Sequence, residues 1–273
     1  MTDPKDPQDH MPTPPADTPR VDFFIAGVQK GGTTALDAML RRHPDVQMAS
    51  RKEAHFFDDE RLDWTRPDPA GLHDLFDWSS DRVLRGEATP IYIFWPNAIE
   101  RLAAYNPRAR LVICLRHPVF RAHSHWRMEI AKHYDTLPFS RAIREGRDRI
   151  APAPDNSLRI FSYVERGFYA AQIARLLRHF PRAQLLFMRT DRLWSQPETE
   201  LARLLDFLRL PPAQIALRDY ILPVVPTETA PMTAEDRAHL CRLYESDIRQ
   251  TGQITGLDLQ DWLDAGYCEP MGG

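Results

Sequence analysis

Cysteine is scarce in this chain, with three in 273 residues. Cys114, Cys241 and Cys268 lie far apart, are odd in number and show no metal or disulfide spacing, which fits a reducing compartment. Long apolar runs are missing as well. No stretch approaches the length of a membrane span. Residues 1–20 (MTDPKDPQDHMPTPPADTPR) contain no apolar core of the kind a secretory signal needs, so the expected location is the cytoplasm. Six prolines and several aspartates there predict a disordered tail ahead of a single domain over residues 21–273. An excess of one charge is also absent: the formal net charge is -3, which argues against nucleic acid as a partner. There is no internal repeat. What is present is a hydrophobic fraction of 43%, enough for one sizeable core.

Three short apolar runs read as buried strands: residues 21–27 (VDFFIAG), 110–115 (RLVICL) and 184–188 (QLLFM). Residues 83–87 are a weaker candidate. Between them lie helical patterns. Leu36, Met39 and Leu40 recur at helical spacing, and Pro44 stops that run. Residues 120–134 read as a helix, and Tyr169, Ile173, Leu176, Leu177 and Phe180 form an apolar stripe. Ser195 with Glu198 has the capping-box pattern ahead of Leu201, Leu204, Leu205 and Leu208. Thr233 with Asp236 opens a last helix. Strands alternating with helices predict an α/β fold with a mainly parallel sheet, whose ligands bind beyond the carboxyl ends of the strands.

The first such end carries Gly27-Val28-Gln29-Lys30-Gly31-Gly32-Thr33-Thr34, running into a helix. Glycines admit an anion close to the backbone, and the helix start offers unpaired N–H groups and partial positive charge. Lys30 adds a point charge; Thr33 and Thr34 add hydroxyls. The lysine precedes the glycine pair, so this is not the NTPase loop, in which lysine follows the second glycine. The second strand end carries Arg116-His117-Pro118-Val119-Phe120-Arg121-Ala122-His123-Ser124. Pro118 suits the first helical turn. Arg121 lies one turn before Ser124 on the same side. An arginine and a serine hydroxyl can share a phosphate. Two anion sites at two strand ends imply a ligand with two separated anionic groups.

A third cluster, Lys52-Glu53-Ala54-His55-Phe56-Phe57-Asp58, places acid, base and cation within a few residues of two aromatics. In a generic sequence Glu53 would simply pair with Lys52 at the surface.

Together these segments resemble the 3′-phosphoadenosine-5′-phosphosulfate (PAPS)-dependent sulfotransferases, most closely the branch holding the heparan sulfate enzymes and many bacterial members. The resemblance runs from about Val21 to Leu208 and implies a P-loop-like three-layer fold with helices flanking the sheet. It implies a 5′-phosphosulfate loop at Gln29, Lys30, Gly31, Gly32, Thr33 and Thr34, and a 3′-phosphate site at Arg116 and Ser124. The third cluster is similar to the family's Lys-Glu-Pro-His-Phe-Phe motif, with Ala54 in place of proline. That makes Glu53 the expected general base, His55 and Asp58 its supports, and Lys52 a transition-state contact. Residues 85–90 (RGEATP) resemble the Gly-Glu-x-Ser-Pro segment. Residues 165–169 (ERGFY) resemble the Arg-Gly-x-Tyr segment beside the nucleotide, although Tyr169 also begins the apolar stripe and fits a core role equally. No Lys/Arg-Gly-rich nucleotide loop is evident between Tyr220 and Glu235.

The resemblance implies PAPS as donor, adenosine 3′,5′-bisphosphate (PAP) as product and no metal. Sulfuryl transfer is an in-line displacement helped mainly by positioning and charge. The acceptor is a hydroxyl or amine of a glycan, lipid or small metabolite, and the arginine-rich residues 125–154 are expected to form a mobile loop over it. Two rival readings are a metabolite kinase, which would need Mg²⁺ ligands and a differently placed lysine, and a non-catalytic nucleotide-binding protein, which would need no base.

Overall fold

The computed structural model describes residues 19–79, 83–151, 155–215 and 231–270. Most of the expected N-terminal tail, and much of the expected gap between Tyr220 and Glu235, lie outside those residues. Five parallel strands form one sheet in the order β2-β3-β1-β4-β5. They are β1 (Phe23–Gly27), β2 (Val46–Met48), β3 (Leu84–Ala88), β4 (Arg110–Leu115) and β5 (Leu185–Arg189). Every β1 residue is buried, as are all of β4 but Arg110, because helices cover both faces of a parallel sheet. Side chains alternate between two cores. Phe24, Ala26, Leu111 and Ile113 face the one holding Tyr169, Ile173 and Tyr244. Phe23, Ile25, Val112 and Cys114 face the one holding Leu36, Met39 and Leu204.

Neighbouring β1 and β4 send the chain towards opposite edges of the sheet: β1 leads through α1 (Thr33–Leu40) to β2, α2 (Ala70–His73) and α3 (Ala98–Tyr105) come before and after β3, and β4 leads through α4 (Pro118–Ala131) towards β5. Such a reversal leaves a crevice at the carboxyl ends of the two strands. Pro118 takes the first turn of α4, and His117 caps it by accepting from the Val119 N–H at 3.3 Å.

Three expectations change. The weak candidate at residues 83–87 is β3, an inner strand, and Val46–Met48 is a strand that periodicity did not show because three residues carry no pattern. Ser195 does not cap the next helix. It ends α8 (Thr190–Ser195) by donating to the Asp191 carbonyl, Gln196 takes the cap position, and Pro197 opens α9 (Pro197–Leu208). The described part of residues 125–154 is not an open loop. It continues α4, then forms α5 (Phe139–Ala142) and a 3₁₀ turn (Glu145–Arg149), tied down by the Arg149–Asp135 ion pair at 2.8 Å. The strap is closed by Tyr163, whose hydroxyl donates to Asp135 at 2.8 Å. Beyond it come α6 (Asn156–Phe161), α7 (Tyr169–His179) and the long α10 (Ala234–Thr255), which Thr233 caps as expected.

Candidate active site

The loop after β1 curls back onto its own sheet. The Val28 N–H donates to the Cys114 carbonyl at 3.1 Å, and the Gly31 N–H to the Val28 carbonyl at 2.9 Å. Gly31 has no room for a side chain: a Cβ would stand 2.3 Å from the Cys114 oxygen. Gly32, at φ +84°, adopts the left-handed backbone that starts α1. Thr190 fixes the outer turn, its hydroxyl donating to the Gly31 carbonyl at 2.7 Å. Thr33 is buried and Thr34 exposed at the start of α1.

Lys30 leaves this loop with a positive φ of 68°. Its Nζ lies 3.8 Å from Met128 Sδ on α4, and it makes no ion pair among the described residues. Burial lowers its pKa, and the nearby charges of Arg116 and Lys132 lower it further. A cation held this way gains most from an incoming anion. Gln29 accepts a hydrogen bond from Arg166.

Arg116 stands just past the end of β4 and donates to the Lys30 carbonyl at 3.1 Å, so the two sites expected from sequence share a wall. The Ser124 hydroxyl is buried in α4 with no hydrogen-bond partner among the described residues. Arg121 is also fully buried; it donates to the Tyr163 carbonyl, while its Nε and Nη1 have no hydrogen-bond partner among the described residues. Buried polar groups are nearly always satisfied, so unsatisfied donors on one helix beside an anion cradle mark a place for a ligand. Tyr169 was expected either beside the nucleotide or in the core. It is fully buried, and its hydroxyl donates to the Arg116 carbonyl at 2.7 Å. It therefore positions Arg116 from within the core.

The third cluster rests on β3. The Glu53 N–H donates to the Ala88 carbonyl at 3.0 Å. Glu87 accepts from the Ala54 N–H at 3.1 Å and the Thr89 hydroxyl at 2.5 Å, and full burial pushes its carboxyl up to about 7. Both Glu53 (φ 59°) and His55 (φ 54°) take left-handed backbone, which turns their side chains to one side. Lys52 Nζ reaches Glu53 Oε1 at 2.7 Å, and His55 Nε2 lies 3.4 Å from Glu53 Oε2. The other ring nitrogen of His55 meets Asp58 at 2.9 Å. Burial opposes charge on Glu53, but the contacts with His55 and Lys52 prevail and hold it at about 2. Burial likewise opposes the imidazolium, but Asp58 and Glu53 raise His55 to about 9. At neutral pH, Glu53 is a carboxylate and His55 a cation.

Sequence reasoning missed several residues here. Arg159 of α6 donates to Asp58 Oδ2 at 2.5 Å and to its carbonyl at 2.6 Å. Nothing local announces a contact across 101 positions of chain. Arg166 was visible in the Arg-Gly-x-Tyr segment, but not its reach to Gln29. Glu129 of α4 and Lys132 at its C-terminal cap line, with Glu53, His55, Arg159 and Arg166, a cavity of about 350 Å³. An open cleft of about 730 Å³ adjoins it, sharing Glu53, His55, Asn156 and Arg159. Among the described residues no group of acids, histidines and cysteines is arranged to hold a metal ion.

A glycine loop at a switch point, beside a cavity that Glu53 and Glu129 help to line, places the fold in the P-loop-like class. The sulfotransferase domain family matches residues 20–223, and the chain belongs to it. Human heparan sulfate glucosamine 3-O-sulfotransferase 3B1 is 38% identical over 190 residues, covering 68% of this chain and 45% of that protein. The mouse heparan sulfate glucosamine 3-O-sulfotransferase 6 is 37% identical over 192 residues, covering 68% and 52%. The chain thus spans about half the length of these relatives. The crystal structure of a sulfotransferase from Alicyclobacillus acidocaldarius superposes with a TM-score of 0.76 at 27% identity, covering 90% of this chain and all of that one. By these likenesses its family is that of the PAPS-dependent sulfotransferases.

Proposed function

We propose that the chain transfers the sulfuryl group of PAPS to a hydroxyl, or an amine, of an acceptor seated in the 350 Å³ cavity, with Glu53 as general base. The observation that supports this most is that Lys30, on the loop after β1, makes no ion pair among the described residues, and that the hydroxyl of Ser124, on the helix after adjacent β4, is unsatisfied. Those residues fit a donor with a 5′-phosphosulfate and a 3′-phosphate: Lys30 brings its charge to the loop that starts α1, and Ser124 offers a hydroxyl with no hydrogen-bond partner among the described residues. PAPS supplies an activated sulfur whose departing phosphate oxygen gains negative charge during transfer. Lys30 and the N–H groups at the start of α1 are preorganised to stabilise that charge. A sulfuryl group carries less charge than a phosphoryl group, so the reading needs no metal.

Glu53 is ionised over the physiological range and lines the cavity. It takes the acceptor's proton as the acceptor oxygen bonds to sulfur. His55, already protonated, cannot serve as the base; it and Lys52 hold the Glu53 carboxylate in one orientation. Asp58, itself gripped by Arg159, fixes the His55 ring from behind.

A glycan hydroxyl is the proposed acceptor class, supported by relatives named for action on heparan sulfate glucosamine and by the polar cleft beside Glu53. The free thiols Cys114, Cys241 and Cys268 support a cytoplasmic setting. The test is thermal shift in chelator with PAP, against ATP plus Mg²⁺, followed by transfer of labelled sulfate from PAPS to a panel of glycans, lipids and metabolites. Native-state binding raises the melting temperature. Stabilisation by PAP alone supports the reading. A strict need for Mg²⁺, or stabilisation by ATP only, would favour the kinase.

A further inference from the structure

After α10 the chain folds back across the carboxyl ends of β4 and β5. Trp262 is buried and its carbonyl lies 3.0 Å from His117 Nε2. Asp261 pairs with Arg189 at the end of β5 at 2.5 Å. Tyr267 stacks on the His117 ring with centroids 4.9 Å apart and planes 13° apart. These contacts deliver Glu269 to Arg116. The Arg116 Nε donates to Glu269 Oε1 at 2.8 Å and its Nη2 to Oε2 at 2.6 Å, a two-pronged pair. Both side chains are about nine-tenths buried, at 10% and 11% exposure.

A guanidinium fork accepts a carboxylate or a phosphate by the same geometry. Here a carboxylate from the chain itself fills the fork proposed for the donor's 3′-phosphate, while Ser124 on the following helix keeps an unsatisfied hydroxyl. Two anions cannot share one fork without repulsion. We propose that Glu269 is an internal latch: its carboxylate stands in for the 3′-phosphate on Arg116 and must leave before the donor seats. This rests on Arg116 being the 3′-phosphate residue. The latch lowers apparent affinity by the fraction of molecules in which Arg116 is released. It acts only on nucleotides that carry a 3′-phosphate, because adenosine 5′-monophosphate makes no claim on that fork.

The test is calorimetric titration of the full chain with PAP and with adenosine 5′-monophosphate. The variants are Glu269→Ala, Glu269→Gln and Arg116→Ala. Glu269→Ala should bind PAP roughly tenfold more tightly or better, within the usual range of coupling between two competing contacts. Its affinity for the monophosphate should be unchanged. Glu269→Gln preserves shape while removing charge, so it should shift PAP binding in the same direction even if Glu269→Ala folds poorly. Unchanged or weaker PAP binding in both Glu269 variants, with Arg116→Ala clearly weakened, overturns the latch and leaves Arg116 as the phosphate residue. If Arg116→Ala binds PAP as wild type does, the Arg116 assignment falls, and the latch with it. Hydrogen exchange gives an independent readout. Saturating PAP should loosen residues 264–270 and the monophosphate should not; tighter protection by PAP would make the strap a lid over the nucleotide and overturn the latch.

Discussion

His55 Nε2 lies 3.4 Å from Glu53 Oε2, and each group fixes the charge of the other. Glu53 is depressed from its ordinary 4.5 to about 2, so its share of stability is present above 4.5 and fades as pH falls towards 2. His55 is raised from 6.5 to about 9, so its share is complete below 6.5 and is lost as pH climbs through 9. The His55 ring resonances should titrate near 9 by NMR, and His55→Asn should remove the alkaline loss of melting temperature. A ring that titrates near 6.5 would contradict the pairing.

Ser124→Ala separates a ligand contact from a structural one. The hydroxyl has no hydrogen-bond partner among the described residues, so its loss should leave the melting temperature unchanged or higher. PAP affinity should fall by about 1–2 kcal/mol, the scale of a hydrogen bond to a charged group. Lost stability with unchanged affinity would show that the serine serves the helix instead.

Lys30→Ala tests where the loop's charge acts. Saturated turnover should fall by about 10²–10³-fold, the range for removing one group that stabilises developing charge. PAP affinity should change much less, because the lysine counts most when the leaving oxygen ionises. A variant that loses affinity but turns over normally when saturated would overturn this role.

Gly31→Ala should damage the fold itself. The added Cβ would meet a backbone oxygen at 2.3 Å, which no rotamer change relieves. Overpacking of this kind costs about 1–3 kcal/mol, and each kcal/mol lowers Tm by about 2–4 °C in a domain near this size. Circular dichroism melts would check it, an unshifted Tm being the contrary result.

The strands at 23–27 and 110–115 were legible because burial on both faces leaves unbroken apolar runs in sequence. The glycine loop was legible because its chemistry is local, as was the Thr233 cap. β2 was not, since three residues carry no periodicity, and Ser195 misled because Pro197 moved the helix start beyond it. Tyr169 looked like a nucleotide contact and like core at once; its bond to the Arg116 carbonyl from a fully buried position is one that sequence cannot show. Arg159 and Glu269 were invisible for a single reason: their partners, Asp58 and Arg116, lie 101 and 153 positions away.

The central claim is that Glu53 is the base, and Glu53→Gln tests it most directly. Glutamine keeps the shape but cannot take a proton. Glu53 is partly exposed, so losing its ion pairs should cost no more than about 1 kcal/mol of stability. PAP binding should stay near wild type, while turnover at saturating donor and acceptor should fall by about 10²–10⁴-fold, the usual worth of a positioned general base. Melting temperature, PAP affinity and saturated rate should be measured on one preparation. A folded variant that binds PAP and turns over within a few-fold of wild type would contradict the account, leaving Glu53 as a structural partner of Lys52 and His55.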